Sequence, residues 1–256
     1  MLNEKSREAI RELLVKMADD QLILGHRNSE WTGIGPFIEE DIAFGSLAQD
    51  KVGQAYMFYS LLHDQFGEND PDNFAFGRIA TDYKCCHLVE HPIGEYEWSL
   101  VRHFLFDHAE LLRFDSLSRS SFEPLAQLAR KFKGEIKYHV FHANTWFTQL
   151  AGATEESKAR IQSALNEAFP LALGIFEPGP SEELLQRENI FEGEESLGKK
   201  WLDQVTQIVN DSGLKLPTGF EEKTGYGGRK GYHTEYLAPM LEEMGEVIRI
   251  DPKTEW

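Results

Sequence analysis

An all-α fold is predicted for this 256-residue chain by three observations. Apolar residues recur at three- and four-residue spacing along most of the sequence, as one face of a helix requires. Strict apolar–polar alternation, which a half-buried strand needs, is nearly absent. The long periodic stretches are separated by clusters of Gly, Pro, Asn and Asp, which end helices.

The first helix is predicted over about residues 4–27, where Ile10, Leu13, Leu14, Met17, Ala18, Leu22 and Leu24 form a stripe that the polar run 25–36 closes. Pro36 opens a second helix over about 38–66, a span of roughly 40 Å. GENDPDN (67–73) reads as a turn cluster, with a shorter segment over 74–89. A third long helix is predicted over 95–117, where Trp98, Val101, Leu105, Ala109 and Leu112 share a face. Ser120 with Glu123 resembles a capping box that starts a fourth helix, reaching about Leu150 before Gly152 ends it. Thr154 caps a fifth, over 154–176, that Pro170 kinks or interrupts. Smaller helices follow around 181–188, 196–211 and 234–247, with a Gly-rich loop at 219–231. Four long helices in two hairpins make a bundle. One domain over 1–256 is expected, with its core at about 4–176 and the C-terminal helices and loop at about 177–256.

The chain carries 43 acidic and 26 basic side chains, a formal charge of −17. Nucleic acid and anionic membrane surfaces need clustered Lys and Arg, so neither is an expected partner. No apolar stretch is long enough to span a bilayer, and the start, MLNEKSREAIRELL, is charged and helical in pattern rather than a signal peptide. A cytoplasmic protein is expected. Cys85 and Cys86 are adjacent, a spacing suited to buried reduced thiols rather than to a disulfide or a CxxC metal site.

Glu39, Glu40 and Asp41 most simply favour the positive start of the second helix, and Trp31, Trp98 and Trp146 suit helix junctions. The loop's GYGGRKG (225–231) suggests anion binding through Arg229 and Lys230, but its spacing fits neither GxGxxG nor GxxxxGK[ST] and no strand precedes it. A structural or interface loop is favoured. No GxSxG elbow is present.

A long four-helix bundle raises one chemical question, because di-iron carboxylate bundles carry Glu-x-x-His pairs whose spacing aims carboxylate and imidazole at one ion. The residues three before the nine histidines are Ile23, Ser60, Lys84, Leu88, Leu100, Leu105, Ile136, His139 and Lys230. None is acidic. In the second helix the i, i+3 pair is Lys51 with Gln54, and in the fourth it is Ile136 with His139.

Five ordered blocks carry a resemblance over essentially the whole chain: LILGHRNSEW, IEEDIAFGSLAQDKVGQA, LVEHPIGEYEWSLVRHFLFD, KYHVFHANTWFTQLAGATEESKARIQSALNEAF and GGRKGYHTEYL followed by LEEMG. Together they are similar to the PaaC subunits of the bacterial phenylacetyl-CoA epoxidase. The resemblance implies a ferritin-like four-helix bundle with additional C-terminal helices. It also implies a non-catalytic structural role beside a homologous PaaA subunit, which carries the di-iron centre and binds the CoA thioester. By the same resemblance, the complex is expected to epoxidise the ring of phenylacetyl-CoA in aerobic phenylacetate degradation, with NADPH-derived electrons from a separate reductase. Laid on the catalytic relative's pattern, the metal Glu and His of the second helix fall on Lys51 and Gln54, and those of the fourth on Ile136 and His139. The third-helix carboxylate falls on Asp107, and the first-helix one on Asp20 or Gln21. Asn28 and Tyr56 depart mildly from usual PaaC wording.

No catalytic, cofactor or metal residue is therefore expected in this chain, and di-iron is expected in its partner. If buried acids remain at the emptied site they need a cation, since unpaired buried charge is costly. Lys51 is expected to pair with Asp107 there, with Asp20, Glu135 and His139 in the network. Against this stand two alternatives: an independent metal oxidase using His139, His142, Asp107 and Glu135, and a scaffold with other partners. Bland helix pairs, Glu135 with His139 and His103 with Asp107 at i, i+4, also fit the spacing. A homodimer of the lone chain is plausible, because an exposed docking face tends to be covered.

Overall fold

The computed structural model describes residues 3–221 and 223–251. Glu222, within the expected Gly-rich loop, lies outside the described residues, as do the two ends of the expected single domain. Among the described residues all regular structure is helical: α1 Glu4–Ser29, α2 Ile38–Phe66, α3 Pro71–Phe76, α4 His87–Glu90, α5 Tyr96–Leu117, α6 Glu123–Ala153, α7 Glu155–Ala172, α8 Glu182–Arg187, α9 Glu194–Asp211, α10 Leu237–Met244 and α11 Glu246–Ile250. None of them is long and apolar enough to cross a membrane.

Local chemistry accounts for the ends. The Asn3 side chain accepts the N–H of Ser6 and caps α1. Helix α2 closes on Gly67 at φ 77°, a left-handed value that glycine adopts without cost. The cluster at 67–73 is more than a turn, since Asp70 caps α3 and Pro71 fills its first position, where a missing N–H does no harm. The segment at 74–89 then divides into the end of α3, a 3₁₀ turn at Ala80–Asp82 and α4.

Two expected helix signals work differently. Ser120 and Glu123 form no capping box: Glu123 opens α6 instead of standing three residues inside it, and the Ser120 hydroxyl accepts the N–H of Phe122. Nor does Gly152 end α6, which runs to Ala153 and stops because Thr154 turns extended to cap α7 in a reciprocal box with Ser157. Pro170 sits in the last turn of α7, and the chain tightens into a 3₁₀ turn at Leu173–Phe176.

Helices α1 and α2 form one hairpin, α5 and α6 the other, and α7 packs on α5 and α6. Phe58, Phe114 and Phe132, one from each of α2, α5 and α6, meet at ring distances of 5.3 to 6.2 Å in the core. The C-terminal helices close one side, where the buried Trp201 of α9 donates its indole N–H to the Leu105 carbonyl of α5 at 2.9 Å and stacks on Phe169. The arrangement is an all-α, ferritin-like four-helix bundle with additional C-terminal helices. From Leu13 to Gly25 every residue of α1 is buried, so its polar members Lys16, Asp19, Asp20 and Gln21 all need partners inside the protein.

Candidate functional site at the bundle centre

Lys51 of α2 is fully buried, and its ammonium reaches Asp107 Oδ1 of α5 at 2.6 Å. It also lies 3.5 Å from the Gln21 amide oxygen of α1 and 4.8 Å from the centre of the Phe106 ring. Burial opposes charge on Asp107, but Lys51 and then His103 outweigh it and hold the carboxyl well below its ordinary range. The second Asp107 oxygen lies against His103 Nδ1 and 3.8 Å from His139 Nδ1. His139 Nε2 in turn faces Asp50 at 3.0 Å.

A file of side chains leads from this pair toward the start of α2. His142 Nδ1 is 3.3 Å from His103 Nε2, His142 Nε2 is 3.0 Å from Glu40, and the Tyr96 hydroxyl donates to the same carboxylate at 2.7 Å. Burial pushes His103 down to about 4, with partial compensation from Asp107. The unfolded chain takes up that proton below about pH 6.5, whereas the folded chain waits until about 4. Stability from His103 is therefore complete above this window and declines as pH falls through it. Despite its burial, His139 is raised by Asp107 and Asp50; its contribution is present at low pH and is lost as pH rises through the folded value. Urea midpoints measured from pH 7 to pH 4 are expected to fall more steeply for the natural chain than for His103→Asn. Parallel curves would exclude His103 as the source.

Gln21 extends the network the other way. It donates to Glu110 at 2.8 Å, Arg113 joins Glu110 at 2.6 Å to Glu194 of α9 at 2.7 Å, and Lys16 pairs with the same Glu194. Three buried cations, Lys51, Arg113 and Lys16, thus alternate with the buried carboxylates Asp107, Glu110 and Glu194.

Two of the expected members stand elsewhere. Asp20 does not reach Lys51: its carboxylate takes both guanidinium arms of Arg229 at 2.8 and 2.7 Å and the N–H of Cys86 at 2.8 Å. The fork matches two donors to two oxygens, a better fit than a single ammonium offers. Glu135 accepts from Gln54 at 2.9 Å instead of pairing with His139. Ile136 is buried among the core hydrophobics. Of the atypical ligand set, Asp107 and His139 come together, His142 joins only through His103, and Glu135 is turned to Gln54. His103 and Glu40 are the members that helix spacing undervalues. Glu40 shares a face with the buried Phe44, Leu47 and Lys51, a signal that places it inside rather than at the helix start.

These residues do not fit a di-iron centre. A buried ammonium holds the Asp107 carboxylate, and Ile136, three residues before His139, is a hydrocarbon.

The Gly-rich loop is also filled from within. Glu177 accepts the N–H groups of Gly227 and Arg229 at 2.7 and 3.4 Å, with Lys230 at 3.2 Å, so the loop binds an anion belonging to this chain. A Cβ on Gly228 would stand 2.1 Å from the Cys85 carbonyl, which explains glycine there. Beside it Cys85, Glu90 and His233 bring donor atoms within 4.8 Å of one another. His233 faces Glu90 at 2.6 Å and the Tyr83 carbonyl at 3.0 Å, while Thr234 donates twice to the other Glu90 oxygen. Both cysteines are free and buried, and burial pushes both thiols up. A cleft of about 810 Å³ beside α1 is lined by Arg11, Lys16, Arg78, Lys84, Arg229 and Lys230, of which all but Lys84 pair, among the described residues, with a carboxylate of this chain.

Fold and centre together define a helical carboxylate bundle whose core acids are neutralised by buried side-chain cations. The chain belongs to the PaaA/PaaC family of phenylacetic acid catabolic proteins, which it matches over residues 1–256. It is 31% identical over 242 residues, 94% of this chain and 97% of the relative, to the protein of Escherichia coli (strain K12) named as the C subunit of 1,2-phenylacetyl-CoA epoxidase.

Proposed function

We propose that this chain is the non-catalytic structural subunit of a multicomponent di-iron monooxygenase that epoxidises the ring of phenylacetyl-CoA, and that it supports a homologous PaaA-like catalytic subunit. The observation that carries this reading is 31% sequence identity to the C subunit of an epoxidase along nearly the full length of both chains. The Lys51–Asp107 pair supports assigning the metal to the partner, because a buried ammonium and a metal cation would compete for one carboxylate. This chain's contribution is then mechanical: a preformed helical surface that stabilises its partner by mass action when the two dock. No step of the oxygen chemistry runs through its residues.

Co-expression with a PaaA-like subunit tests the reading. Iron is expected only in the complex and in the partner, with epoxidation of phenylacetyl-CoA falling sharply when this chain is omitted. Stoichiometric iron or manganese in this chain purified alone, without chelators, would favour the independent oxidase and overturn the proposal.

A further inference from the structure

Large apolar side chains stand in water along one side of the bundle. On α2, Ile38, Ile42, Val52 and Tyr56 are 71%, 63%, 44% and 54% exposed. At 100° per residue they fall within an arc of roughly 80°. On α6, Tyr138 and Phe141 are 67% and 68% exposed. The two helices are joined by Asp50–His139 and Gln54–Glu135, so their outer faces are neighbouring parts of one surface. Scattered exposed hydrophobics are ordinary, but aligned ones on adjacent helices mark an interaction site.

Glycines on the same faces supply an independent sign. Gly45 lies within the α2 arc and Gly53 at its edge, Gly134 lies one turn before Tyr138, and a Cβ built on any of the three meets nothing within 4 Å. Glycine inside a helix is unfavourable relative to alanine, so its place calls for a close neighbour. Among the described residues of this chain none is that neighbour, and a helix from another molecule would be.

Charge says which kind of molecule. The exposed or partly exposed acids of α2 are Glu39, Asp41, Asp50 and Asp64, whereas α6 presents Arg130, Lys131 and Lys137 with one exposed acid, Glu123, in its first turn. A bundle that presents cations toward α2 and carboxylates toward α6 when turned by a twofold axis would complement both helices. Resting on the function proposed above, we infer that the α2–α6 face is the docking surface for the homologous catalytic subunit, with helices approaching closely at Gly45, Gly53 and Gly134.

Capture of the co-expressed PaaA-like subunit by tagged chain, with affinity measured on the purified pair, tests this. Ile42→Asp and Phe141→Asp are expected to weaken binding about tenfold or more while leaving the helical melting curve of the lone chain unchanged. Gly53→Ala is expected to raise the melting temperature of the lone chain and yet weaken binding, a combination that a merely structural glycine would not give. If the natural chain captures the partner and these variants do so equally well, the surface is misplaced, and the same holds if they disrupt only a homodimer. If the natural chain itself captures no partner, the subunit reading fails instead.

Discussion

Lys51→Met is expected to destabilise the folded chain by about 3–5 kcal/mol, the range for removing one member of a buried ion pair. The side chain keeps nearly the same volume, so the loss measures charge rather than a cavity. Asp107 would keep only its histidine contacts in a fully buried setting. Adding Asp107→Leu should recover most of the stability, because replacing both charges by packed hydrocarbon is often neutral. The penalty should also depend on acid. In the natural chain the depressed Asp107 contributes stability that is present above about pH 3.8 and is lost as pH falls through the lower folded value. Once the carboxyl is protonated there is no charge left to strand, so the cost of Lys51→Met should shrink in strong acid. Urea unfolding at neutral and acidic pH provides both numbers, and a single variant as stable as the natural chain would show that the pair carries no energy.

Arg229→Met should cost about as much, roughly 3–5 kcal/mol, and should loosen the Gly-rich loop. Besides its fork on Asp20, Arg229 donates to the Lys84 and Ile175 carbonyls at 2.7 and 3.1 Å, so one side chain ties α1, the approach to α4 and the end of the α7 segment together. Arg229→Lys keeps the charge but loses the planar fork, and should recover only part. Lys230→Ala, at a side chain 65% exposed, should change stability by less than about 0.5 kcal/mol. Melting together with limited proteolysis at 219–231 separates these cases; an Arg229→Lys chain as stable and as resistant as the natural one would mean that charge alone, not fork geometry, holds the loop.

How far the sequence is legible depends on the distance over which each interaction acts. The span of α2 is predictable to the residue because Pro36 and Gly67 bracket an uninterrupted periodic run. The opposition of Lys51 and Asp107 is legible through the resemblance, which lays both on the catalytic relative's metal positions, after which their opposite charges call for a pair. Asp20 escapes such reasoning because its true partner lies 209 residues further along, in a loop that no periodicity links to α1. Glu40 reads as a helix-dipole residue because two exposed-looking acids flank it, although its own position lies on the buried face. The capping box at Ser120 fails on a shift of two residues, a scale at which spacing rules do not discriminate.

The alternating charges that run from Asp107 through Glu110 and Arg113 to Glu194 have a consequence for how the chain is made. Glu194 is the carboxylate for both Lys16 and Arg113, and it emerges from the ribosome 178 residues after Lys16. Until then the first three-quarters of the protein holds two inward cations without this counter-ion. The early helices can pair locally, but the centre cannot dry until α9 arrives, so synthesis is expected to end in a late, concerted closure rather than in stepwise burial of finished hairpins.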